Sequence, residues 1–415
     1  MNGTGTSKTG STRRGYLRRS AAAVAAGGLL AGCAGEDAPA DDADSTADGT
    51  ATDAADATAT DDADSWGASL APVGEVTFES EPESVAVYDL LHADLAVAYG
   101  RADAVNSLGF DAAVDGATLS AYYERLDGVE TDWGDLAQLN DGNSGVNVDA
   151  ELLYELDSDL HLIDPALVTS FDGWEREDTA EIADNVGPWF GNYFSRTHGE
   201  PPAAWADAYE YHTVWETAER VAPVFRAEDR YEALAEVRAD LLATIEEGLP
   251  PASERPTVAV TIFMDGTFYP TAANAPGYAT AHVRPFGVED AFAGEEITFE
   301  TSYDYEAMLE FDPDVILHPY GLASYYSVPD VRTTLSEHAV GSELTAVAED
   351  RVYPSGNPMQ GPIVNLFQTE MTAKQLFPER FGAWPEYDGG PYPEIPAEER
   401  LFDRDRVAEV VAGDV

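Results

Sequence analysis

The residues of this sequence that could bind a ligand are aromatic side chains and scarce arginines, grouped in loops that follow predicted strands. Arg196 and Arg284 lie in aromatic, otherwise uncharged loops, where a planar guanidinium can hold an oxyanion or stack on a ring. Ligand pockets are mostly apolar and aromatic with a few convergent polar groups, which suits this set. For any single aromatic residue, packing in the interior is the competing interpretation. The candidate ligand-binding residues are Tyr88, His92, Trp189, Tyr193, Arg196, Phe268, Tyr269, Tyr278, Arg284, His318, Tyr320, Tyr325, Tyr326 and Met359.

The sequence lacks the short motifs of metal sites and of common hydrolases. No HxH or HxxxH pair occurs among the seven histidines, although a site assembled in space from His92, His282, His318 and a carboxylate stays open. The GxSxG nucleophile elbow, the HExxH zinc-protease motif and glycine-rich phosphate fingerprints are also missing. Cys33 is the only cysteine, which excludes disulfides and a cysteine-ligated cluster. We therefore expect neither a catalytic residue nor a cofactor.

Two similar segments would position the loops. In each, a short amphipathic helix leads through a polar turn into a hydrophobic strand, as in the αβ half of a doubly wound sheet. Ligands of open α/β sheets bind at the carboxyl ends of the strands, so two such lobes would face each other across a cleft. Aligned without a gap, the segments match at Asp149/Asp304, Glu151/Glu306, Glu155/Glu310, Asp157/Asp312, Asp159/Asp314 and Leu162/Leu317.

A long helix is predicted between the two segments, over residues 229–247. Leu234, Val237, Leu241 and Ile245 recur at three- and four-residue steps and form one apolar stripe, with Asp229 expected to cap the amino end. The predicted fold is α/β, with two Rossmann-like lobes joined by this single long helix and the ligand cleft between the lobes. We also expect 209–225 to be helical and 264–287 to be a loop.

The chain divides into five parts on composition and pattern. The parts are residues 1–32, a twin-arginine lipoprotein signal; 33–66, the lipidated cysteine and a disordered acidic tether; 67–205, the N-terminal α/β lobe; 206–249, a connecting helical segment; and 250–415, the C-terminal α/β lobe.

The first 65 residues predict export and anchoring. Arg13 and Arg14 precede Tyr16 and Leu17 as in a twin-arginine signal, and the run at 30–33 ends in Cys33 like a lipobox. Lipidation of Cys33 would anchor the chain to the outer face of the cytoplasmic membrane. Residues 36–65 are mainly Ala, Asp, Thr and Gly and predict a flexible tether.

The charge balance is extreme. The signal carries five of the 22 basic residues and none of the 78 acidic ones, so the remainder has 17 basic residues and a net charge of −61. At molar salt the Debye length falls to about 3 Å and such self-repulsion largely disappears, so we interpret the charge as adaptation to brine. Nucleic acid binding is excluded because there is no basic face to neutralise phosphates.

The order of signal, tether, lobe, long helix and second lobe resembles the solute-binding lipoproteins of ABC importers. The branch is the one with a rigid connecting helix, which takes ferric siderophores, cobalamin or haem. The stretches 178–183 and 187–192 look like archaeal iron-siderophore members, as do 230–234 and 360–367. The resemblance extends from Glu75 to the carboxyl end and implies a monomeric, non-catalytic carrier of a ferric siderophore or similar chelate, in which the ligand carries the iron.

The resemblance also implies partners. In that family one glutamate per lobe, in an E-x7-D element at a helix start, docks into arginine pockets of the permease, whose ATPase drives release. The matching positions are Glu151 with Asp159 and Glu306 with Asp314. Helix capping alone is the competing interpretation of these acids. A bare zinc or manganese binder, a haem or cobalamin binder, and a surface enzyme or receptor remain open alternatives.

Overall fold

The structure is a computed structural model that describes residues 65–111, 114–134, 136–140, 146–323 and 326–415. The predicted signal, Cys33 and nearly all of the tether lie outside these residues, as does Tyr325. Within the described ranges, no helix is both long enough and apolar enough to cross a membrane.

The first lobe is built on short parallel strands. Strands β3 and β6 pair in parallel, as do β4 and β5, and a parallel bridge between Val85 and Val105 sets β4 beside β3. Before them lies an antiparallel hairpin, β1–β2. The elements in order are β1 (Trp66–Leu70), β2 (Gly74–Phe78), β3 (Val85–Val87), α1 (Leu90–Ala98), β4 (Ser107–Leu108), α2 (Asp115–Tyr123), β5 (Ala137–Gln138), α3 (Ala150–Leu156), β6 (Leu160–Leu162), α4 (Pro165–Val168) and α5 (Arg176–Asn185).

The second lobe has a mixed sheet centred on β7. Strands β11, β10 and β7 lie side by side in parallel, while β7 also pairs with β8 antiparallel and with β9 in parallel. The remaining elements are α6 (Val214–Val221), α7 (Glu228–Gly248), β7 (Thr257–Met264), β8 (Thr267–Thr271), β9 (Glu289–Asp290), α8 (Tyr305–Phe311), β10 (Val315–His318), α9 (Val328–Glu337), α10 (Thr345–Ala348), β11 (Val352–Pro354), α11 (Pro362–Leu376), α12 (Pro378–Phe381) and α13 (Arg404–Ala412).

The matched acidic residues of the two segments have the same structural roles in both lobes. Asp149 and Asp304 are the N-caps of α3 and α8, and each carboxylate accepts a first-turn backbone N–H at 2.9 Å. Asp157 and Asp312 end the same helices in the left-handed conformation, which Asp tolerates better than most residues. The similarity of the two segments therefore reflects equivalent αβ units.

A third matched pair ties each sheet together at its amino edge. The Asp159 carboxylate accepts the backbone N–H groups of Glu83 and Ser84, both at 2.9 Å, just before β3. The Asp314 carboxylate accepts the N–H of Thr257 at 2.8 Å, at the start of β7. Each aspartate precedes the strand that pairs with β3 or β7 and so holds the two strands in register.

The long helix α7 buries the predicted stripe. Leu234, Val237, Leu241 and Ile245 are all buried, and the helix packs against α6, α11 and α13. These side chains belong to a core that also includes residues of α1, β7 and β10, so the helix lies along a core shared by both lobes.

Three local expectations were wrong. Ala227, without a side-chain hydrogen bond, is the N-cap of α7, so Asp229 lies in the first turn, where it still favours the helix dipole. Residues 209–213 are not helical, because Thr213 starts α6 in a capping box. The expected loop 264–287 contains β8, because Asp265-Gly266 is a hairpin turn with φ of 51° and 83°.

A buried carboxylate connects the lobes. Asp94 of α1 accepts the N–H groups of Ile363 at 2.9 Å and Val364 at 3.3 Å, at the amino end of α11, and the Tyr123 hydroxyl donates to it at 2.5 Å. An added Cβ on Gly361 would lie 2.5 Å from this carboxylate, so the approach requires glycine. Burial raises the pKa of Asp94 to about 7, although these hydrogen bonds lower it.

Replacing Asp94 by Asn should change the pH dependence of stability. A carboxyl with a pKa of 3.8 unfolded and about 7 folded stabilises the protein fully below about pH 4 and loses that contribution as the pH rises through 7. The free energy of unfolding of Asp94→Asn minus that of the wild type should therefore rise by up to about 1.4 kcal/mol per pH unit between pH 4 and 7.

Urea unfolding at fixed salt across that range measures the difference. Asp103→Asn, at an exposed position just after α1, is the control and should follow the wild-type profile. Parallel profiles for Asp94→Asn and the wild type would contradict the assignment.

Candidate functional site

Two turns from opposite lobes meet around one arginine. The turn Phe194–Arg196 of the first lobe contacts the turn Tyr278–Thr280 of the second. The two backbones approach so closely that a Cβ on Gly277 would lie 2.2 Å from the Arg196 carbonyl oxygen. Gly277 is therefore needed for the lobes to meet here.

The Arg196 cluster, as we name it, consists of Tyr88, Tyr193, Arg196, Tyr278 and Tyr320, all of which are buried. The Arg196 guanidinium lies 4.8 Å from the Tyr193 ring centroid, a cation–π contact. Its Nε has no hydrogen-bond partner among the described residues. Four of these residues interact electrostatically across the lobe boundary, since Tyr193, Tyr320 and Tyr278 all act on Arg196.

The cluster presents one cation and several neutral phenols. Burial raises the pKa of Tyr88, Tyr193 and Tyr278, and raises that of Tyr320 to about 12. Burial alone would lower the pKa of Arg196, but the neighbouring tyrosines raise it by more. The net pKa is therefore raised, and the guanidinium stays charged. At neutral pH the cluster therefore offers hydrogen-bond donors, which suit a ligand rich in oxygen acceptors.

Asp164 holds the first-lobe turn. Its carboxylate accepts the N–H of Tyr193 at 2.7 Å and the Tyr209 hydroxyl at 2.5 Å, and it caps α4 through the N–H of Ala166 at 2.7 Å. The Tyr209 oxygen accepts the N–H of Phe194 at 2.8 Å. Burial raises the pKa of Asp164 to about 6, while these hydrogen bonds lower it. Asp164 therefore positions the turn and has its oxygens occupied by protein groups.

Gln360 holds the second-lobe turn. Its side-chain nitrogen lies 2.8 Å from the Tyr278 carbonyl oxygen and 3.0 Å from His282 Nδ1, and its oxygen accepts from Asn365 at 2.7 Å. Arg284 donates to the carbonyl oxygens of Ala275, at 2.7 Å, and of Gly277. The predicted arginine of this loop thus supports the backbone beside Tyr278.

A buried aspartate–histidine pair lies near the cluster. Asp89 caps α1, and its Oδ2 is 2.7 Å from His92 Nδ1. His92 Nε2 is buried and has no partner among the described residues. Asp89 acts electrostatically on Arg196, so the pair adds one carboxylate beside the guanidinium.

Several predicted site residues lie in the interior of their lobes instead. Trp189 donates to the Thr179 carbonyl oxygen at 2.7 Å and packs in the first-lobe core. Phe268 is fully buried in the second-lobe core. The Tyr326 hydroxyl donates to the Phe263 carbonyl oxygen. The pattern of aromatic residues in loops did not separate such packing from ligand contact.

The remaining predicted residues are dispersed. Tyr269 follows Phe268 in β8, so its side chain lies on the opposite face of the sheet, and it is 37% exposed. Met359 is half-buried against the shared core. His318 accepts the N–H of Phe263 on Nε2 at 2.7 Å, and its Nδ1 lies 2.9 Å from the Pro319 carbonyl oxygen. Burial lowers its pKa to about 4.

The histidines do not assemble the metal site left open by the sequence. Both nitrogens of His318 face backbone groups, and those of His282 face Ser355 Oγ and the Gln360 side-chain nitrogen, each at 3.0 Å. Within the described part of the chain, no three His, Cys, Asp or Glu side chains are grouped so that they could hold a metal ion.

Sequence reasoning missed Tyr209 and Asp94 as positioning residues. The Tyr209–Asp164 contact joins residues 45 apart and the Asp94–Ile363 contact residues 269 apart. No spacing rule links positions that are brought together only by the tertiary fold.

Neither a protein-family model nor a curated protein matches the sequence. Solved structures match the fold. The iron-uptake ABC transporter substrate-binding protein PiuA from Streptococcus pneumoniae Canada MDR_19A has a TM-score of 0.50 and 13% identity, over 75% of this chain and 98% of that one. The periplasmic catecholate-siderophore binding protein VctP from Vibrio cholerae has a TM-score of 0.51 and 16% identity, over 75% and 99%.

A periplasmic solute-binding protein from Mycobacterium smegmatis has a TM-score of 0.53 and 13% identity, over 76% of this chain and 98% of that one. The chain therefore has the α/β fold of ABC-transporter substrate-binding proteins, with two lobes and a connecting helix. The predicted fold class is confirmed.

Tyr209→Phe should loosen the Arg196 turn. The substitution removes the hydroxyl that lies between the Asp164 carboxylate and the Phe194 N–H, leaving a buried donor unpaired. We expect the free energy of unfolding to fall by about 1–3 kcal/mol. The matched control is Tyr211→Phe, whose exposed hydroxyl donates to the Gly199 carbonyl oxygen at 3.0 Å and should matter little. Equal losses in both variants, measured by urea unfolding, would contradict the positioning role of Tyr209.

Proposed function

We propose that this protein is a non-catalytic, extracytoplasmic solute-binding protein that captures a ferric-siderophore complex and delivers it to an ABC importer. The observation that supports the proposal is the Arg196 cluster, in which tyrosine side chains from both lobes surround one guanidinium. Carriers of this fold hold their ligand between the lobes, and this is where the two lobes meet.

The chemistry of the cluster favours a chelate over a bare ion. Ferric siderophores present hydroxamate or catecholate oxygens, which accept hydrogen bonds from guanidinium and phenol groups. Neutral phenols bind such oxygens without losing a proton, whereas direct coordination of a metal by Tyr278 would require deprotonation of a group whose pKa is raised by burial. Similar structures are those of an iron-uptake protein and a catecholate-siderophore binding protein, which agrees with this ligand class.

Delivery would use the two exposed glutamates at the helix starts. Glu151 and Glu306 lie in the first turns of α3 and α8, at equivalent positions of the two lobes, and both are exposed. Their partner aspartates, Asp159 and Asp314, are engaged by backbone N–H groups. The glutamates are therefore the members of each E-x7-D element that remain accessible to arginines of a permease. Lipidation of Cys33 would keep the protein at the membrane.

Ligand binding is tested by titrating tryptophan fluorescence of the exported protein in molar salt. The panel comprises ferric hydroxamates, ferric catecholates, haem, cobalamin and zinc. We expect a saturable change with a ferric chelate and at least about tenfold weaker binding by Arg196→Gln, because a hydrogen bond to a charged group contributes about 1.5–3 kcal/mol.

The control is Arg380→Gln, an exposed arginine of α12, which should bind as the wild type does. Unfolding midpoints measured alongside distinguish lost affinity from lost folding. Saturation by zinc, haem or cobalamin without a response to any ferric chelate would overturn the siderophore proposal.

Docking is tested in cells that take up the ferric chelate. Glu151→Ala and Glu306→Ala should each reduce uptake severalfold while leaving chelate affinity unchanged, because both side chains are exposed and neither belongs to the Arg196 cluster. The chain offers matched controls in Glu155→Ala and Glu310→Ala, which are exposed, lie one turn further along the same helices and make the same charge change. Equal effects in all four variants would indicate a general role of surface charge and contradict specific docking.

A further inference from the structure

A cavity lies beside the connecting helix. It has a volume of about 350 Å³ and is lined by residues of α6, α7, α11 and the turn Arg284–Phe286. None of the five residues of the Arg196 cluster lines it. The cavity is therefore distinct from the proposed siderophore site, although both lie between elements of the two lobes.

The charge of this cavity is the reverse of that of the whole chain. Acidic residues outnumber basic ones by 78 to 22, yet two arginines, Arg238 and Arg284, line the cavity and no aspartate or glutamate does. Such an excess of positive charge is uncompensated by the protein and favours an anion.

The Arg238 guanidinium has no acidic partner in the described part of the chain. Its guanidinium carbon lies 5.1 Å from the centroid of the Trp215 ring. Arg238 forms no hydrogen bond or ion pair with any residue in the described part of the chain. A guanidinium carries five N–H donors in a planar fork that matches a carboxylate. Burial lowers the pKa of Arg238 and of Arg284, as expected where no carboxylate offsets desolvation.

The other walls of the cavity are largely apolar. They include Trp215, Leu241, Pro285 and Leu366, and the Asn365 amide is engaged by the Trp215 indole N–H at 3.0 Å. The volume lies at the lower end of the range of about 300–1,000 Å³ typical of small-molecule sites. Apolar walls around unpaired guanidinium donors suit an anion with an apolar body better than a fully hydrated inorganic one.

We propose that this cavity is a binding site for a small organic carboxylate, held by Arg238 and Arg284. Arg284 also donates to the Gly277 carbonyl oxygen, next to Tyr278 of the Arg196 cluster. A carboxylate bound here would contact the connecting helix and the segment that supports the cleft together. Arg238 lies outside the siderophore proposal, whereas Arg284 also supports the turn beside that site, so the variants that test the carboxylate site are made at Arg238.

Isothermal titration calorimetry of the exported protein with benzoate tests the site. Benzamide is the neutral analogue, and inorganic phosphate is an anion without an apolar body. We expect saturable one-to-one binding of benzoate in the millimolar range or tighter, and at least about tenfold weaker binding of benzamide and of phosphate. No saturation by benzoate, or equal binding of benzamide or phosphate, would overturn the proposal.

Variants locate the binding. Arg238→Gln should weaken benzoate binding at least about tenfold, equivalent to about 1.4 kcal/mol. Arg220→Gln is the matched control, because Arg220 is an exposed arginine at the end of α6 that does not line the cavity. Arg238→Lys keeps the charge without the planar fork, and should bind benzoate severalfold more weakly than the wild type even if the Gln variant does not fold. Wild-type affinity in either Arg238 variant would overturn the assignment.

Discussion

The contact between Asp94 and the amino end of α11 ties the first helix of the first lobe to a helix near the carboxyl end of the chain. The carboxylate accepts two N–H groups that the helix itself leaves unpaired, and it does so from the first helix of the other lobe. The aspartate is fully buried, and its side chain accepts hydrogen bonds from this helix end and from Tyr123. Two N–H groups at the amino end of α11 therefore gain their partner from a residue 269 and 270 positions away in the sequence. The loop just before α11 carries Gln360, which holds the Tyr278 turn, so this contact also positions half of the candidate site.

The scarcity of basic residues explains how the remaining segments are fixed. In a chain this acidic, arginines would be expected to form ion pairs, yet many donate to backbone carbonyl oxygens. Arg125, Arg230, Arg332 and Arg351 each reach a carbonyl distant in sequence or in a neighbouring element, and Lys374, one of two lysines, donates to the Phe381 carbonyl oxygen at 2.6 Å. Carbonyl oxygens are neutral acceptors, so these bonds depend less on salt than surface ion pairs do. A buried pair, Arg404 with Glu370 at 2.5 Å, joins α13 to α11.

Periodicity and local turn chemistry predicted the connecting helix and the αβ units, because these features are local. The stripe of α7 and the αβ units depend on residues within a few positions of one another, and the matched acids Asp149 and Asp304 cap helices in both lobes. The hairpin of β7 and β8 has a local signal too, in the Asp265-Gly266 turn.

The candidate site was only partly predictable. Tyr193, Arg196, Tyr278 and Tyr320 were correctly placed in loops that the structure brings together, although their role in binding stays a prediction. Trp189 and His318 followed the same pattern of loop position but turn inward, because a neighbouring backbone group accepts or donates a hydrogen bond there. Whether a side chain at a strand end faces the cleft depends on such partners, which sequence spacing does not encode.

The shared core bears on how a protein of this fold would take up a ligand. Residues of α1, α7, β7, β10 and α11 pack into one continuous apolar cluster, so a large rotation of one lobe against the other would expose buried side chains such as Leu91, Leu234 and Ile363. Exposing apolar surface costs about 25 cal/mol per Å², and the Asp94 contact would be broken as well. Capture would then proceed through movement of side chains and turns at the cleft more than through domain closure. The turns at the cleft are those carrying Arg196 and Tyr278, which are positioned by hydrogen bonds with Asp164, Tyr209, Gln360 and Arg284.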